Sequence, residues 1–529
     1  MGARHARRSA HGGRSRGLRA AATLAAAGML LTACSSGSDE PAADEDADAP
    51  TQADGADTTD DRPRELVLAH AQEPPNWDWT QTSATAVRVP LAYNVIEPLL
   101  EGLEDGTFEP LLAESYAISD DGLTYTFTIR EATFHDGSTL DAADVVYSLE
   151  YNRESPHGQV AVPFEAVESI EATDDRTVTV TLSRPSQRFH AGMAADSGLI
   201  MPEGGAETVA ESPVGTGAFD FVDWRVGVDV ELERFDDYWG ELPYFEAITW
   251  RFIADETAGL SALLAGDIDA FPSLVGEGVE RLDSIDAEDG LTAVFSASPE
   301  LGYISLNASA EVFQDERIVQ AINHAIDRQP YLDGAHSGRG ETTCVFVNPV
   351  NAPWNSDYCP YPFDQDKARS LLAEAGASDL TIPFRHLTIA DHGPIHDILV
   401  AQLTEVGITV ESEPRELAVY LDEVLGETPD YVMTQLGGPS KIDAWVCPGR
   451  FTLLCDEEFD DLLARADAST DFDEYVDLRR EAVERHAELG YLIPLFTKVG
   501  QGAWRDDIAG IKLYNAASEV DMRGLHWAD

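Results

Sequence analysis

The 529-residue chain carries 96 acidic against 35 basic residues, a formal net charge of −61. A surface so negative repels polyphosphate backbones and anionic lipid head groups, which excludes nucleic acid as a partner. Its length, with 43% hydrophobic residues, exceeds what one core usually holds and calls for two or three lobes.

Six arginines from Arg4 to Arg19 precede an apolar run, Ala20 to Leu31, too short for a membrane span of roughly 20 residues. Residues 1–33 therefore read as a cleaved export signal. Leu31-Thr32-Ala33-Cys34 closes it and resembles the lipobox of bacterial lipoproteins, which implies a lipid-modified Cys34 that anchors the chain to a membrane. From Ser35 to Arg64 come ten carboxylates, two arginines and no large apolar residue, so residues 34–64 cannot offset their ordering entropy and read as a tether. The acidic run Asp44 to Asp48 lacks the Gly and late Glu of an EF-hand and reads as a solvated spacer.

After Glu65 the composition is globular. Glu65 to Ala69 reads as a strand, and Thr124 to Ile129 alternates at period two. Leu140 to Leu149 returns apolar residues at helical spacing, with Asp141 placed to cap the first turn. Further strands are expected at Thr177 to Leu182, Val226 to Arg234 and Ile248 to Ile253. Beyond Leu301 helices become frequent: Ile318 to Ile326, Lys367 to Ala375 before Gly376, Ile395 to Val406 before Gly407, and Tyr475 to Leu489 before Gly490. Strand-like runs at Leu380 to Phe384 and Ile408 to Glu411 alternate with them, as in a βαβ lobe.

Four cysteines follow the signal cysteine as two local pairs, Cys344 with Cys359 and Cys447 with Cys455. In an exported chain these read as two disulfides; a four-cysteine zinc site would want a close C-x₂₋₄-C knuckle that neither pair has.

Pro110-Leu111-Leu112-Ala113-Glu114-Ser115-Tyr116, Asp121-Gly122-Leu123-Thr124-Tyr125-Thr126-Phe127, Phe134-His135-Asp136-Gly137 and Ala143-Asp144-Val145-Val146 follow one another along the chain. Gly215 to Phe219, Asp237 to Gly240, Leu263 to Asp269 and Gln320 to Arg328 extend the series. In order and spacing these strings resemble the signature of the extracellular solute-binding proteins of family 5, the peptide, oligopeptide and nickel receptors of ABC importers, across nearly everything after Glu65. The resemblance implies an α/β, two-lobed periplasmic-binding-protein-like fold of type II, cluster C. Lobe one would span 65–300 with a subdomain near 108–208 and a return at 497–529, and lobe two 301–496. It also implies a monomeric receptor without a cofactor that closes on a solute by hinge motion and hands it to a membrane permease.

Clefts are lined by aromatic groups and a few placed polar ones. By resemblance the loop after the opening strand contributes first, which nominates Trp77, Trp79 and Thr82. From lobe two come Gln435, Gly437 and Gly438 at a strand end, Asp443 and Trp445 beyond it, and Arg385 or His386 as a partner for a ligand carboxylate. An aspartate that peptide receptors often carry for the ligand amine has no counterpart between Leu436 and Ser440. The expected ligand is an oligopeptide. Oligosaccharides are the alternative suggested by Trp77, Trp79 and Trp445, and a nickel complex or haem by His386, His392 and His396 beside Asp391 and Asp397. Pro394 suits a first helical turn and would leave His392 outside the helix, apart from His396. The one G-x-S-x-G lies at Gly13 to Gly17 inside the signal, and H-E-x-x-H, S-x-x-K and G-x-x-x-x-G-K-[ST] are absent. No enzyme is expected.

Overall fold

The computed structural model describes residues 62–528 except 83–84, 104–105, 275–280, 287, 347–352, 354, 388–391, 426–428, 440–441, 448, 450–451 and 515–518. The expected export signal, Cys34 and the expected tether before Arg62 lie outside the described residues, as does Asp391.

Ten strands form one mixed sheet in the order Thr409–Arg415, Thr381–Leu387, Met433–Pro439, Leu291–Leu306, Leu492–Arg505, Ala270–Phe271, Glu65–His70, Ala247–Phe252, Asp229–Arg234 and Phe219–Arg225. The two long antiparallel strands, Leu291–Leu306 and Leu492–Arg505, run from one lobe into the other. Their register slips between Ala297 and Leu301, where Pro299 has no N–H to give to the ladder. Around this sheet the apolar side chains segregate. One core gathers Trp77, Trp79, Phe219 and Trp250, and a second Ile304, Ile322, Phe384 and Ile493.

The separate four-stranded sheet Ala113–Ile118, Thr124–Ile129, Thr177–Leu182 and Val167–Asp174 packs with helix Ala142–Arg153. Thr124–Ile129 buries Tyr125, Phe127 and Ile129 and leaves its threonines half-buried, the alternation the sequence carries. Asp141 caps the helix: its carboxylate accepts the N–H of Ala143 and Asp144, and Asp144 accepts from the Asp141 N–H, closing a capping box. Helix Phe472–Leu489 begins on the Asp471 cap and ends at Gly490, whose φ of 75° would strain any side chain. The strand expected from Val226 begins at Asp229, and residues 226–228 form the turn of a hairpin with Phe219–Arg225. Gly227 turns at φ 77°, and Arg225 faces Asp229 across it. Helix His392–Glu405 starts two residues before Pro394, so His392 belongs to the helix, contrary to the expectation drawn from the proline. Proline suits any position of the first turn, and the boundary moved with it. Both expected disulfides are present, Cys344–Cys359 and Cys447–Cys455.

One buried carboxylate ties the first lobe together. Glu97 is 0% exposed and accepts hydrogen bonds from the Tyr238 hydroxyl (2.9 Å), Trp239 Nε1 (2.8 Å) and Thr216 Oγ1 (2.9 Å). Burial pushes its pKa up to about 7 in spite of those donors and of Arg523. Because the folded value lies above the unfolded one, the stabilisation is full at pH below the unfolded value near 4.5 and is lost as pH rises through 7. Glu97→Gln removes this titration. Relative to the variant, the wild type should lose on the order of 3 kcal/mol between pH 4.5 and 8, read from urea unfolding at both values.

Candidate functional site

Strand register decides where a cleft falls. In the first lobe Glu65–His70 is parallel to Ala247–Phe252 and Ala270–Phe271, and Ala270 pairs antiparallel with Trp504 of Leu492–Arg505. The C-terminal ends of these strands therefore point along the crossing strand toward residue 492 and the second lobe. There Thr381–Leu387 is parallel to Thr409–Arg415 and Met433–Pro439, while Met433 pairs with Leu306 and Pro439 with Glu300 of the other crossing strand. These ends point back at the first lobe. Open α/β sheets bind ligands outside the carboxyl ends of their parallel strands, and here two sets of such ends face each other.

At the second lobe's edge, Met433–Pro439 pairs with Thr381–Leu387 only through Met433 and Thr434. From Gln435 onward its one strand neighbour among the described residues is Leu291–Leu306. Tyr420 holds the start of this free edge, its hydroxyl donating to the Gln435 carbonyl at 2.5 Å and meeting Thr434 Oγ1 at 2.9 Å. Gly437 is exposed, and without a side chain it lets another backbone come close. Lys498 stands near it, paired with Glu300 at 3.3 Å. The side-chain oxygens of Gln435 and, on the first lobe's part of the crossing strand, Gln501 are buried with no hydrogen-bond partner among the described residues. Each such atom costs about 1–3 kcal/mol until something donates to it.

Ionic contacts join residues 184–188 of the smaller subdomain to the second lobe. Asp467, at the end of helix Glu457–Ala468, accepts from Arg184 Nη1 (2.7 Å), Ser186 Oγ (3.0 Å) and the Arg188 N–H (2.9 Å). Gln187 Nε2 donates to the Ser469 carbonyl at 2.9 Å. Arg188 also reaches Asp443 at 3.3 Å, and Asp443 is clasped by both terminal nitrogens of Arg479 at 3.1 and 2.9 Å. Burial works to raise the Asp443 pKa, but the two guanidinium groups outweigh it and hold it at about 2.

The residues nominated from sequence fall in several places. Trp77 is 0% exposed, edge-on to Phe221 and Trp224 with centroids 5.1 and 5.7 Å away. Trp79 is 1% exposed and donates to Asn152 Oδ1 at 3.0 Å, while Thr82 is half-buried. Trp445 packs between Tyr303, Phe346 and His486 at 4% exposure. The Arg385 fork is taken up by Glu413 (2.9 Å) and Glu423 (3.2 Å), with Arg415 on the same two carboxylates; only its Nη1 lacks a partner. His386 shares a hydrogen bond with Ser412 Oγ at 2.9 Å, and its ring lies 4.3 Å from that of His396. The His392 side chain lies outside the described residues, and among those described no cluster of metal-ligating side chains forms. Gln435, Gly437 and Gly438 remain together at the free strand edge. Reading the sequence missed Arg184, Arg188, Asp467, Arg479 and Gln501. Partners about 250 residues or more apart, such as Arg188 and Asp443, leave no local pattern.

The profile of the bacterial extracellular solute-binding proteins, family 5 Middle, matches residues 107–446. The glutathione-binding protein GsiB of Pectobacterium atrosepticum is 30% identical over 356 residues, covering 64% of this chain and 67% of its own. Heme-binding protein A of Haemophilus influenzae is 26% identical over 521 residues, 88% of this chain and 91% of its own. Among solved structures, the periplasmic binding protein DppA of Helicobacter pylori, in complex with the peptide STSA, superposes with a TM-score of 0.72. It is 24% identical and covers 88% of this chain and 98% of that one, a likeness of fold. No helix among the described residues is long and apolar enough to cross a membrane. The match over residues 107–446, on a two-lobed sheet whose strand ends converge, makes this chain a member of the bacterial extracellular solute-binding proteins of family 5.

Proposed function

We propose that this chain captures an oligopeptide between its lobes and delivers it to the permease of an ABC importer, without catalysing a reaction. The observation that carries the ligand class is the edge of Met433–Pro439 beyond Thr434, which has no second strand neighbour among the described residues and lies at the carboxyl ends that face the other lobe. An extended peptide can add to such an edge as a further strand, drawing affinity from main-chain hydrogen bonds whatever its side chains. Gln435 and Gln501 would supply the side-chain acceptors, and Gly437 and Gly438 the clearance. In this reading lobe one is 65–300 with 497–529, lobe two is 301–496, and the strand slip at Ala297 to Leu301 is the hinge. Asp467 and Asp443 would hold the closed form through Arg184 and Arg188. Export through residues 1–33 and a lipid on Cys34 would keep the monomeric receptor beside its permease.

The tryptophans that suggested a sugar ligand are 0%, 1% and 4% exposed and present no stacking face, which favours the peptide. A thermal-shift panel of di- to pentapeptides, oligosaccharides, haem and Ni²⁺ with and without chelators, on the exported form, tests the choice. Peptides alone should raise the melting temperature; a rise with sugars, haem or metal alone replaces the ligand and keeps the receptor.

A further inference from the structure

A second cavity, about 980 Å³, lies in the first lobe away from the cleft. Arg64, which borders it, immediately precedes the strand Glu65–His70. Arg234, also on its wall, ends Asp229–Arg234, where Glu233 faces Ala247, the first residue of Ala247–Phe252. The cavity thus sits at the N-terminal ends of the parallel strands whose opposite ends face the second lobe. Strands of six residues put roughly 20 Å between the two.

Four arginines line this cavity in a chain that has 96 acidic residues. Two are already neutralised: Arg234 by Asp236 (3.0 Å) and Glu246 (3.7 Å), Arg523 by Asp521 (2.9 Å) and Glu101 (3.6 Å). Arg64 and Arg130 have no carboxylate within ion-pair distance among the described residues, and Glu97 and Glu114 act on Arg130 only from farther away. Each arginine is held open by its neighbours instead. Arg130 lies over the Trp239 ring at 3.7 Å and donates from Nε to the Leu111 carbonyl. Arg64 lies over Tyr244 at 4.5 Å and donates from Nη1 to the Tyr244 carbonyl at 3.4 Å. The Trp239 platform is itself fixed, because its indole N–H is spent on Glu97. A stacked guanidinium with its Nε occupied keeps its terminal nitrogens set for an oxyanion, and it has lost little entropy still to lose. The remaining acid on the wall, Glu241, is exposed at the rim.

Beside these charged groups, Trp239, Tyr244, Leu111, Pro110 and Pro243 contribute apolar and aromatic surface to the lining. A hydrated inorganic anion gains nothing from it, whereas the body of an organic anion does. We propose that this cavity binds a small organic carboxylate, its carboxylate on Arg130 with Arg64 as the second positive charge and its apolar body against the Trp239 wall. The site is independent of the peptide cleft, and no residue assigned to the cleft takes part.

Calorimetric titration of the exported chain with benzoate, its neutral isostere benzamide and inorganic phosphate tests it. Benzoate should bind, benzamide and phosphate should bind at least about tenfold more weakly, and Arg130→Gln should weaken benzoate about tenfold or more while leaving peptide affinity unchanged. Should Arg130→Gln fold poorly through loss of its packing on Trp239, Arg64→Gln, at an exposed position, carries the same test with a smaller loss. Absence of benzoate binding, equal binding of benzamide or phosphate, or benzoate binding indifferent to both substitutions overturns the proposal.

Discussion

Asp443→Ala should destabilise the folded chain by about 3 kcal/mol, the lower end of what removing one partner of a buried ion pair costs. Arg479 is the reason. Its side chain is 10% exposed and spends both terminal nitrogens on Asp443, so truncation removes the carboxylate that chiefly offsets the burial of its charge. The figure stays at the low end because Asp443 itself is 34% exposed and its contact with Arg188 is longer, at 3.3 Å. The effect has a pH signature. The folded pKa of Asp443, about 2, lies below its ordinary 3.8, so the stabilisation is present above 3.8 and is lost as pH falls through 2. Wild type and variant should therefore converge in acid, as read by urea unfolding at pH 7 and pH 2.5. Had Asp443 been kept free for a ligand amine, Ala would cost under about 0.5 kcal/mol, the usual range for a surface change.

Trp77→Ala should cost about 3–5 kcal/mol, the range for emptying a large aromatic from a core. The ring is fully buried, meets Phe221 and Trp224 edge-on, and its backbone N–H is tied to the Ala210 carbonyl at 3.0 Å. Trp77→Phe, which keeps much of the volume, should recover more than half of that loss. Peptide affinity measured on the Phe variant separates the two roles open to this residue. An unchanged dissociation constant assigns Trp77 to packing; a loss beyond tenfold returns it to the cleft.

Much of the local structure was legible because it rests on short-range chemistry. Thr124–Ile129 and Thr177–Leu182 alternate as half-buried strands do, Asp141 precedes its helix as a cap must, and Gly490 stands where a left-handed residue ends one. The cysteine pairs were equally local. The crossing strand Leu291–Leu306 was not legible, since Pro299 and Gly302 interrupt any period-two pattern that would announce sixteen residues of strand. At the site, Gln435, Gly437 and Gly438 could be nominated from their place at a strand end. The tryptophans could not be sorted between cleft and core, because a rich aromatic loop reads the same whether its rings face a ligand or Phe221. The sequence offers Arg385 as a partner for a ligand carboxylate because Glu413 and Glu423, which occupy it, lie 28 and 38 residues further along the chain.

This receptor is expected to close on peptide. The most direct measurement is the melting temperature of the exported chain with a saturating oligopeptide. A ligand at 100 times its dissociation constant should add about 2.7 kcal/mol of stability and a clear upward shift, with no shift from sugars, haem or nickel at matched concentration. A flat response across di- to pentapeptides together with a shift from one of the other solutes would contradict it.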